Sequence, residues 1–285
     1  MNIIEETSFI MKKYRIKANK ALGQNFLIDE KVINKIVENS QIEKNDCVIE
    51  IGPGLGTLTK ELLETAGKVI CIELDKKMIP ILNDRFSLYK NFELINDDIL
   101  KVDLNKLIMS QKEEGLENVR IVANLPYYIT TPIIMKLLEE KLDLESITVM
   151  VQKEVADRLI AIPGNKDTGA ITYTVYYYAQ GEEIVEVPKE SFTPIPEVTS
   201  KVIKLNIRKN PPVQVKNSEI MFRIIKCAFM QRRKTLLNAL VNTKVFLNKE
   251  EGKSILKKLN LDENIRAEKL MLDDYAKIAD IIING

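Results

Sequence analysis

The sequence predicts an α/β fold with a mostly parallel sheet, followed by a small all-α domain. Short apolar runs alternate with helical patterns through the first half of the 285 residues, and that rhythm is typical of βαβ units. Four C-terminal segments show only helical periodicity. A polar stretch at 206–217 contains Pro211 and Pro212 and carries no helical pattern, which indicates a linker. We therefore assign residues 1–207 to the α/β domain and 208–285 to the helical domain.

Each predicted element follows from an apolar run or a helical period. Short apolar runs predict strands of a mostly parallel sheet at 47–51, 68–73, 92–95, 120–123 and 147–151. Amphipathic spacing predicts helices at 57–63, 76–86, 133–141 and 153–162. Further on, the runs predicted as strands that end the sheet in an antiparallel part are 170–179, 184–187 and 201–207. The second domain's helices are predicted at 218–230, 234–241, 249–259 and 273–283.

The composition excludes several kinds of catalytic site. The chain has no histidine, so it cannot hold a Ser-His-Asp triad, a Cys-His pair or an imidazole-ligated zinc. Cys47, Cys71 and Cys227 are too few for a four-thiolate zinc site and form no disulfide framework. We therefore expect no metal site. Any general base must be a carboxylate, Lys, Tyr or Cys, or the chemistry must need no strong base.

The sequence also bears on location. No apolar run approaches the roughly 18 residues that a membrane-spanning helix needs. The N-terminus lacks the basic and apolar regions of a signal peptide. Isolated cysteines suit a reducing compartment. We expect a cytoplasmic protein that makes no membrane contact.

The near-neutral net charge conceals a segregation along the chain, which has 42 Lys and Arg against 41 Asp and Glu. Residues 206–285 carry 16 of the basic and 9 of the acidic residues, a net of +7. The first 205 residues then carry 26 basic and 32 acidic residues, a net of −6. A basic C-terminal part suits a polyanionic partner, and the alternative is an ordinary solvated helical surface.

A glycine-rich segment, EIGPGLG at 50–56, follows the first predicted strand and opens a helix. Glycines at alternate positions let the backbone turn sharply and approach a ligand closely. Ligands of α/β sheets bind beyond the carboxyl ends of the strands, so Gly52 and Gly54 are candidate contacts of a nucleotide-like ligand. The spacing is that of neither the Gly-x-Gly-x-x-Gly pyrophosphate binders nor the P-loop. The alternative is a tight turn without a ligand.

Acidic residues end the second and third predicted strands. Glu73 lies about 20 residues after the glycines, where a carboxylate is placed to accept hydrogen bonds from ribose hydroxyls. Asp97 and Asp98 end the third strand, where a carboxylate could accept from the exocyclic amine of adenine. Each acid could instead cap a helix, and Asp75 fits that alternative better than Glu73 does.

The run NLPY at 124–127 ends the fourth predicted strand. Asn124 offers a side-chain carbonyl, and Pro126 favours an extended Leu125 with a presentable backbone carbonyl. Tyr127 offers a flat ring face. Two carbonyl acceptors beside an aromatic plate suit a planar amine held for attack, and the alternative is a turn with a tyrosine in the core.

Five motifs, in this order, resemble those of the bacterial ribosomal RNA adenine dimethyltransferases, which are Rossmann-like class I methyltransferases that use S-adenosylmethionine. The motifs are KALGQNFL at 20–27, EIGPGLGTLT at 50–59, NLPYYITTP at 124–132, FTPIPEV at 192–198 and QRRKTL at 231–236. The resemblance covers about residues 12–280. It implies a Rossmann-like catalytic domain with an N-terminal lid segment, and S-adenosylmethionine as the cofactor.

The resemblance implies roles for single residues. At the cofactor it implies Asn25 and Leu27 in the closing segment, Gly52 and Gly54 beside the amino-acid part, Glu73 at the ribose, Asp98 at the adenine amine, and Asn124 between cofactor and target. At the target adenine it implies Asn124, Leu125, Pro126 and Tyr127, with Phe192 as a second stacking plate. At the RNA phosphates it implies Arg232, Arg233 and Lys234, for which a solvated face is the alternative.

Two further groups of residues each have two possible interpretations. A basic cluster at 12–20 is either an RNA contact or a solvated surface. Tyr173 and the tyrosines at 176–178 are assigned to packing rather than to base stacking, because they lie between apolar residues of a predicted strand.

The implied reaction is the N6,N6-dimethylation of two adjacent adenosines near the 3′ end of 16S ribosomal RNA. The implied partner is the small ribosomal subunit, with a further role in subunit biogenesis, and we expect a monomer. One alternative is an Erm-type enzyme that methylates an adenine of 23S ribosomal RNA, although Thr131, Pro132 and the 231–236 motif fit it less well. Another is a non-catalytic assembly factor on the same fold, against which the intact NLPY run argues.

Overall fold

A computed structural model describes residues 2–19 and 23–284 of the chain. Within these ranges the chain forms nine strands and twelve α-helices. The strands are β1 (Phe26–Leu27), β2 (Cys47–Ile51), β3 (Lys68–Ile72), β4 (Phe92–Ile95), β5 (Val119–Asn124), β6 (Ser146–Gln152), β7 (Ala179–Val187), β8 (Phe192–Thr193) and β9 (Ser200–Ile207). The helices are α1 (Ile3–Lys13), α2 (Glu30–Ser40), α3 (Thr57–Thr65), α4 (Ile79–Phe86), α5 (Leu104–Glu113), α6 (Thr130–Glu139), α7 (Lys153–Ile160), α8 (Ala170–Tyr178), α9 (Ser218–Met230), α10 (Leu236–Asn242), α11 (Lys249–Lys258) and α12 (Leu272–Asn284).

Seven strands form the main sheet in the order β4-β3-β2-β5-β6-β9-β7. The strands from β4 to β6 pair in parallel, and β9 pairs antiparallel with β6, from Ser146 opposite Asn206 to Gln152 opposite Ser200. Every residue of the central strand β2 is buried, as expected for a parallel strand with both faces covered. The predicted mostly parallel sheet with an antiparallel end is therefore confirmed.

The prediction of a strand at 170–179 is wrong, because most of these residues form the helix α8. Their aromatic and β-branched composition favours a strand, but tertiary contacts override that propensity. At the first turn, Gly169 N–H donates to Thr172 Oγ1 at 2.9 Å. Tyr173 is fully buried, and its hydroxyl donates to the Leu270 carbonyl at 2.7 Å. Tyr173 thus packs in a core, as predicted, but from a helix.

The chain divides into two compact units. The first comprises the chain up to Ala156 together with Glu182–Ile207, and the second comprises Asp157–Gly181 and the chain from Arg208 onward. One change of unit falls at the predicted domain boundary. The predicted domain 1–207 differs from this division at Asp157–Gly181, because α8 packs into the core formed by the C-terminal helices.

The three cysteines lie at buried or half-buried positions. Cys47 and Cys71 lie in the buried strands β2 and β3, and Cys227 is half-buried on α9, all as free thiols. None of the helices in the described ranges is both long and apolar enough to cross a bilayer. Across residues 2–19 and 23–284, no group of three Cys, Asp or Glu side chains is arranged to hold a metal ion.

Candidate active site

A cleft of the first unit opens at the carboxyl ends of β2, β3 and β5, where α/β sheets bind ligands. It contains about 1000 Å³ of empty space, part of which is open to solvent. Its wall includes residues from 23–27, from the glycine loop (residues 52–56), from the ends of β3 and β4, and from 124–129. The structure brings all seven predicted cofactor residues to this wall, together with Leu125, Pro126 and Tyr127.

The glycine loop has a backbone conformation that favours glycine, and it leaves space for a ligand in the cleft. Gly52, Gly54 and Gly56 have φ of 67°, 58° and 78°, in the left-handed region that favours glycine. A Cβ on Gly52 would meet no atom within 4 Å, so the space above this residue is free for a ligand. A Cβ on Gly56 would lie 2.4 Å from the ring of Phe86. Gly52 thus leaves room for a ligand, whereas Gly56 is required by packing.

Glu73 follows β3 and joins the glycine loop to the sheet. Its side chain accepts hydrogen bonds from Gly54 N–H at 3.1 Å and from Asp75 N–H at 2.7 Å. Burial raises the pKa of Glu73, and these backbone donors oppose that rise. A carboxylate oxygen can accept more than one hydrogen bond, so Glu73 keeps capacity for the hydroxyl donors of a ribose.

Asp97 and Asp98 also border the cleft, just after β4. Asp97 Oδ1 accepts from Asp98 N–H at 2.7 Å, and Asp98 Oδ1 accepts from Leu100 N–H at 3.0 Å. Asp98 therefore caps its own turn with one oxygen. In the described part of the chain its other oxygen accepts no hydrogen bond, which suits an acceptor for an exocyclic amine.

Asn124, the last residue of β5, connects two parts of the wall. Its Nδ2 donates to the Asn25 carbonyl at 3.1 Å, and Asn25 Nδ2 donates to the Gly23 carbonyl at 3.3 Å. Because the Asn124 amide nitrogen is engaged by the N-terminal segment, its Oδ1 is left as the acceptor for a ligand.

The turn after Asn124 separates two carbonyls. The Pro126 carbonyl accepts from Ile129 N–H at 3.3 Å and from the Thr130 hydroxyl at 3.1 Å, so it belongs to the turn. The Leu125 carbonyl receives no turn hydrogen bond in the described ranges. Tyr127 is half-buried, and its hydroxyl lies 2.6 Å from Ser200 Oγ. This bond fixes the ring at the edge of the cleft.

Phe192 does not lie on the cleft wall, so its prediction as a stacking plate needs correction. Its side chain is only 1% exposed, and it belongs to the core of the first unit. In the two-stranded sheet of β1 and β8, Phe192 pairs with Leu27, which does reach the wall. A base needs an accessible ring face, and Phe192 presents none. Through its pairing with Leu27, Phe192 instead supports the segment 23–27.

Three wall residues were not singled out from the sequence, although each lies within or beside a recognised motif. Tyr128 is 52% exposed and offers the accessible ring that Phe192 lacks. Gln24 donates to Asp75 Oδ2 at 2.9 Å. Glu50 is buried and accepts from Thr59 Oγ1 at 2.6 Å, and burial raises its pKa to about 7.

The predicted RNA-binding residues lie in the second unit, directly before α10. Arg232, Arg233 and Lys234 are all exposed, and Arg232 donates to the Lys166 carbonyl. In the basic cluster at 12–20, Lys13 pairs with Asp84 at 2.7 Å. The last member of that cluster, Lys20, lies outside the described residues.

A family model described as ribosomal RNA adenine dimethylase matches residues 15–284. The chain belongs to the ribosomal RNA adenine dimethylase family. Relatives named ribosomal RNA small subunit methyltransferase A include one from Alkaliphilus oremlandii (strain OhILAs), which is 47% identical over 96% of this chain and 95% of its own length. Another from Clostridioides difficile (strain 630) is 48% identical over 97% and 94%. A third, from Bacillus pumilus (strain SAFR-032), is 44% identical over 97% and 95%.

Two crystal structures share the fold of this adenine dimethylase family member. A dimethyladenosine transferase from Plasmodium falciparum has a TM-score of 0.73 at 25% identity and covers 89% of this chain and 95% of its own. The 23S rRNA methyltransferase ErmE has a TM-score of 0.68 at 22% identity, covers 92% and 100%, and shows a likeness of fold alone. The family, the class I methyltransferase fold and S-adenosylmethionine as cofactor, all predicted from the sequence, are thus confirmed. The chain is an S-adenosylmethionine-dependent methyltransferase.

Proposed function

We propose that this enzyme transfers methyl groups from S-adenosylmethionine to the N6 atoms of adenines in the RNA of the small ribosomal subunit. The observation that carries the proposal is the position of Asn124 and Leu125 on the wall of a cleft that also holds Glu73 and the glycine loop. Hydrogen-bond acceptors that suit the cofactor and acceptors that suit an adenine amine therefore line the same cleft. The relatives that match nearly the whole chain are named small subunit methyltransferases, which supports the choice of RNA.

The cofactor half of the site is built from the ends of β2, β3 and β4. Gly52 leaves space for the amino-acid part of the cofactor, Glu73 accepts from the ribose hydroxyls, and Asp98 accepts from the adenine amine. Asn25 and Leu27 cover this half from the N-terminal segment. These donors and acceptors fit S-adenosylmethionine, which supplies a methyl group already activated on a positively charged sulfur.

The target half of the site orients the adenine amine. Hydrogen bonds from N6–H to Asn124 Oδ1 and to the Leu125 carbonyl favour a pyramidal nitrogen, whose lone pair is then less delocalised into the ring. They also fix the line of attack on the methyl carbon, and such positioning is a large source of rate acceleration. The new bond is N–C, the bond that breaks is C–S, and the amine proton passes to water. The reaction therefore asks for no strong base, which is consistent with a chain that has no histidine.

The target base must leave its stack before it reaches such a cleft. Tyr127 and the exposed Tyr128 supply ring faces at the cleft edge, and base stacking on an aromatic ring is worth about 1–3 kcal/mol. Arg232, Arg233 and Lys234 in the basic second unit supply contacts to RNA phosphates. We extend the proposal to the two adjacent adenosines near the 3′ end of 16S ribosomal RNA, modified in the cytoplasm by a monomer that also takes part in subunit biogenesis.

The test is transfer of labelled methyl groups into unmodified small subunits, with the modified nucleotides mapped. We expect label at two adjacent adenosines, with up to two methyl groups on each N6 atom. Free 23S ribosomal RNA serves as the competing substrate, because it is the target named for ErmE. Label found only in the 23S RNA would refute the proposed substrate.

A further inference from the structure

The N-terminal helix α1 is a docked element of the first unit. Asn2 and Glu5 cap its first turn reciprocally, with hydrogen bonds of 2.9 and 3.2 Å between each side chain and the other's backbone N–H. Thr7 and Ile10 are its buried residues, and Ile10 belongs to the same core as the residues around the cleft. The helix therefore has a fixed position against the catalytic unit.

Two ion pairs join α1 to neighbouring residues of α4. Glu6 Oε1 lies 2.5 Å from Arg85 Nη2, and their side chains are 31% and 12% exposed. Lys13 and Tyr14 both bind the Asp84 carboxylate, and the Lys13 side chain is 49% exposed. The first pair is thus shielded from water and the second is largely solvated. Removing one partner of a shielded ion pair is more costly than removing one of a solvated pair, because it leaves the other charge uncompensated and away from water.

Of these two pairs, the shielded one contacts the glycine loop. Arg85 Nη1 donates to the carbonyl of Leu55, which lies in the glycine loop, and the guanidinium stacks 5.0 Å from the ring centre of Phe86. Arg85 therefore bridges Glu6 on α1 and the loop. In the described ranges, Asp84 and its partners Lys13 and Tyr14 form no hydrogen bond with the loop.

The glycine loop is consequently held from two directions. Glu73 binds Gly54 N–H from the sheet side, and Arg85 binds the carbonyl of the next residue, Leu55, from the side of α1. A loop with three glycines has many accessible conformations, so its ordering costs entropy unless other residues hold it. A loop that is already ordered binds its ligand more tightly, because that cost has been met during folding.

We propose that Glu6 and Arg85 are positioning residues that set the affinity for S-adenosylmethionine by ordering the glycine loop. The proposal rests on the cofactor site proposed above. Glu6 supplies the counter-charge that keeps the Arg85 guanidinium in its half-buried place. Without Glu6 the unpaired guanidinium is better solvated when it turns toward water, and the Leu55 carbonyl then loses its hydrogen-bond donor. Neither residue lines the cleft, so we expect the effect to be confined to cofactor binding.

The experiment compares three full-length variants with the wild type by calorimetric titration of S-adenosylmethionine. In Glu6→Ala we expect the Kd to rise on the order of five-fold, which corresponds to the loss of about one net hydrogen bond. Glu6→Gln keeps a hydrogen-bond acceptor and should fall between Glu6→Ala and wild type. Asp84→Asn is the matched control, because it weakens the second attachment of α1 to α4 without touching the loop. Its Kd should equal that of the wild type.

Steady-state kinetics separate positioning from general destabilisation. The KM for S-adenosylmethionine should rise with the Kd in Glu6→Ala, while kcat at saturating cofactor and the KM for small subunits stay unchanged. An unchanged Kd in Glu6→Ala, or an equal rise in Asp84→Asn, would overturn the inference. Glu73→Ala tests the underlying site: if it also leaves the Kd unchanged, the proposed cofactor site itself is wrong. If only Glu73→Ala weakens binding, the site stands and the role of Glu6 fails.

Discussion

Asn124→Ala is the substitution that bears most directly on the mechanism. It removes the Oδ1 atom proposed as the acceptor of the adenine amine and the Nδ2 donor that binds the Asn25 carbonyl at 3.1 Å. Loss of one hydrogen bond that acts in the transition state lowers kcat by about 10²–10³-fold, or roughly 3–4 kcal/mol. Loss of the half-buried bond to Asn25 costs about 1 kcal/mol of folding free energy. We therefore expect a large kinetic defect and only a small stability defect.

The assay is single-turnover methyl transfer into unmodified small subunits, with binding to subunits and thermal unfolding measured on the same samples. Binding to subunits should stay largely intact, because the phosphate contacts are assigned to the second unit. The matched control is Asn91→Ala. The Asn91 amide also donates to backbone carbonyls, those of Leu63 at 2.9 Å and Ala66 at 3.1 Å, but it does not line the cleft.

Asn91→Ala should lose at least as much stability as Asn124→Ala and retain the wild-type rate. The reasoning is refuted if Asn124→Ala turns over at an undiminished rate. It is equally refuted if both variants slow to the same extent, since the loss would then reflect stability alone.

Three further predictions follow from other parts of the chain. Burial raises the pKa of Glu50 to about 7 in the folded protein against 4.5 unfolded, so this residue's stabilising contribution is complete below pH 4.5 and lost as pH rises through 7. Glu50→Gln should abolish this loss of about 3 kcal/mol in the free energy of unfolding, as measured by denaturant titrations at pH 5 and 8. A free energy of unfolding that still falls between the two pH values in this variant would contradict the prediction. Gly56→Ala places a Cβ 2.4 Å from Phe86 and should cost more than about 2 kcal/mol, whereas Gly115→Ala, with equally positive φ and no close neighbour, should cost only about 1. Alanine at all of 232–234 should weaken subunit binding and reduce its salt dependence by up to about three phosphate contacts, and an unchanged salt slope would argue for a solvated face.

The strand ends were predictable because buried parallel strands leave a strong signal. β2 and β3 are mostly apolar, and the residues that follow them must meet at one edge of the sheet. Glu73 and Asn124 could therefore be expected in one cleft before the structure was known. No comparable signal in the sequence shows which side of a short strand faces the cleft. Phe192 sits in a motif rich in proline, and the motif alone does not reveal that its ring points into the core.

Contacts between distant parts of the chain also escape sequence reasoning. Arg85 and Glu6 lie 79 positions apart, and nothing in either local pattern indicates that they pair. The helix α8 shows the same limit in another form. Its composition favours a strand, and the burial of Tyr173 in the second unit, fixed by the distant Leu270 carbonyl, decides for a helix.

The single hydrogen bond from Asn124 to the Asn25 carbonyl has a thermodynamic consequence. The amide proposed to accept the adenine amine is oriented by the segment 23–27, which is proposed to cover the cofactor. A cofactor that orders this segment therefore also prepares the amide for its substrate, and a bound substrate favours the ordered segment in return. Linkage requires the two effects to be equal, so each ligand strengthens the other by one common factor. Methyl donor and RNA would then bind as a cooperative pair, although they occupy different halves of the cleft.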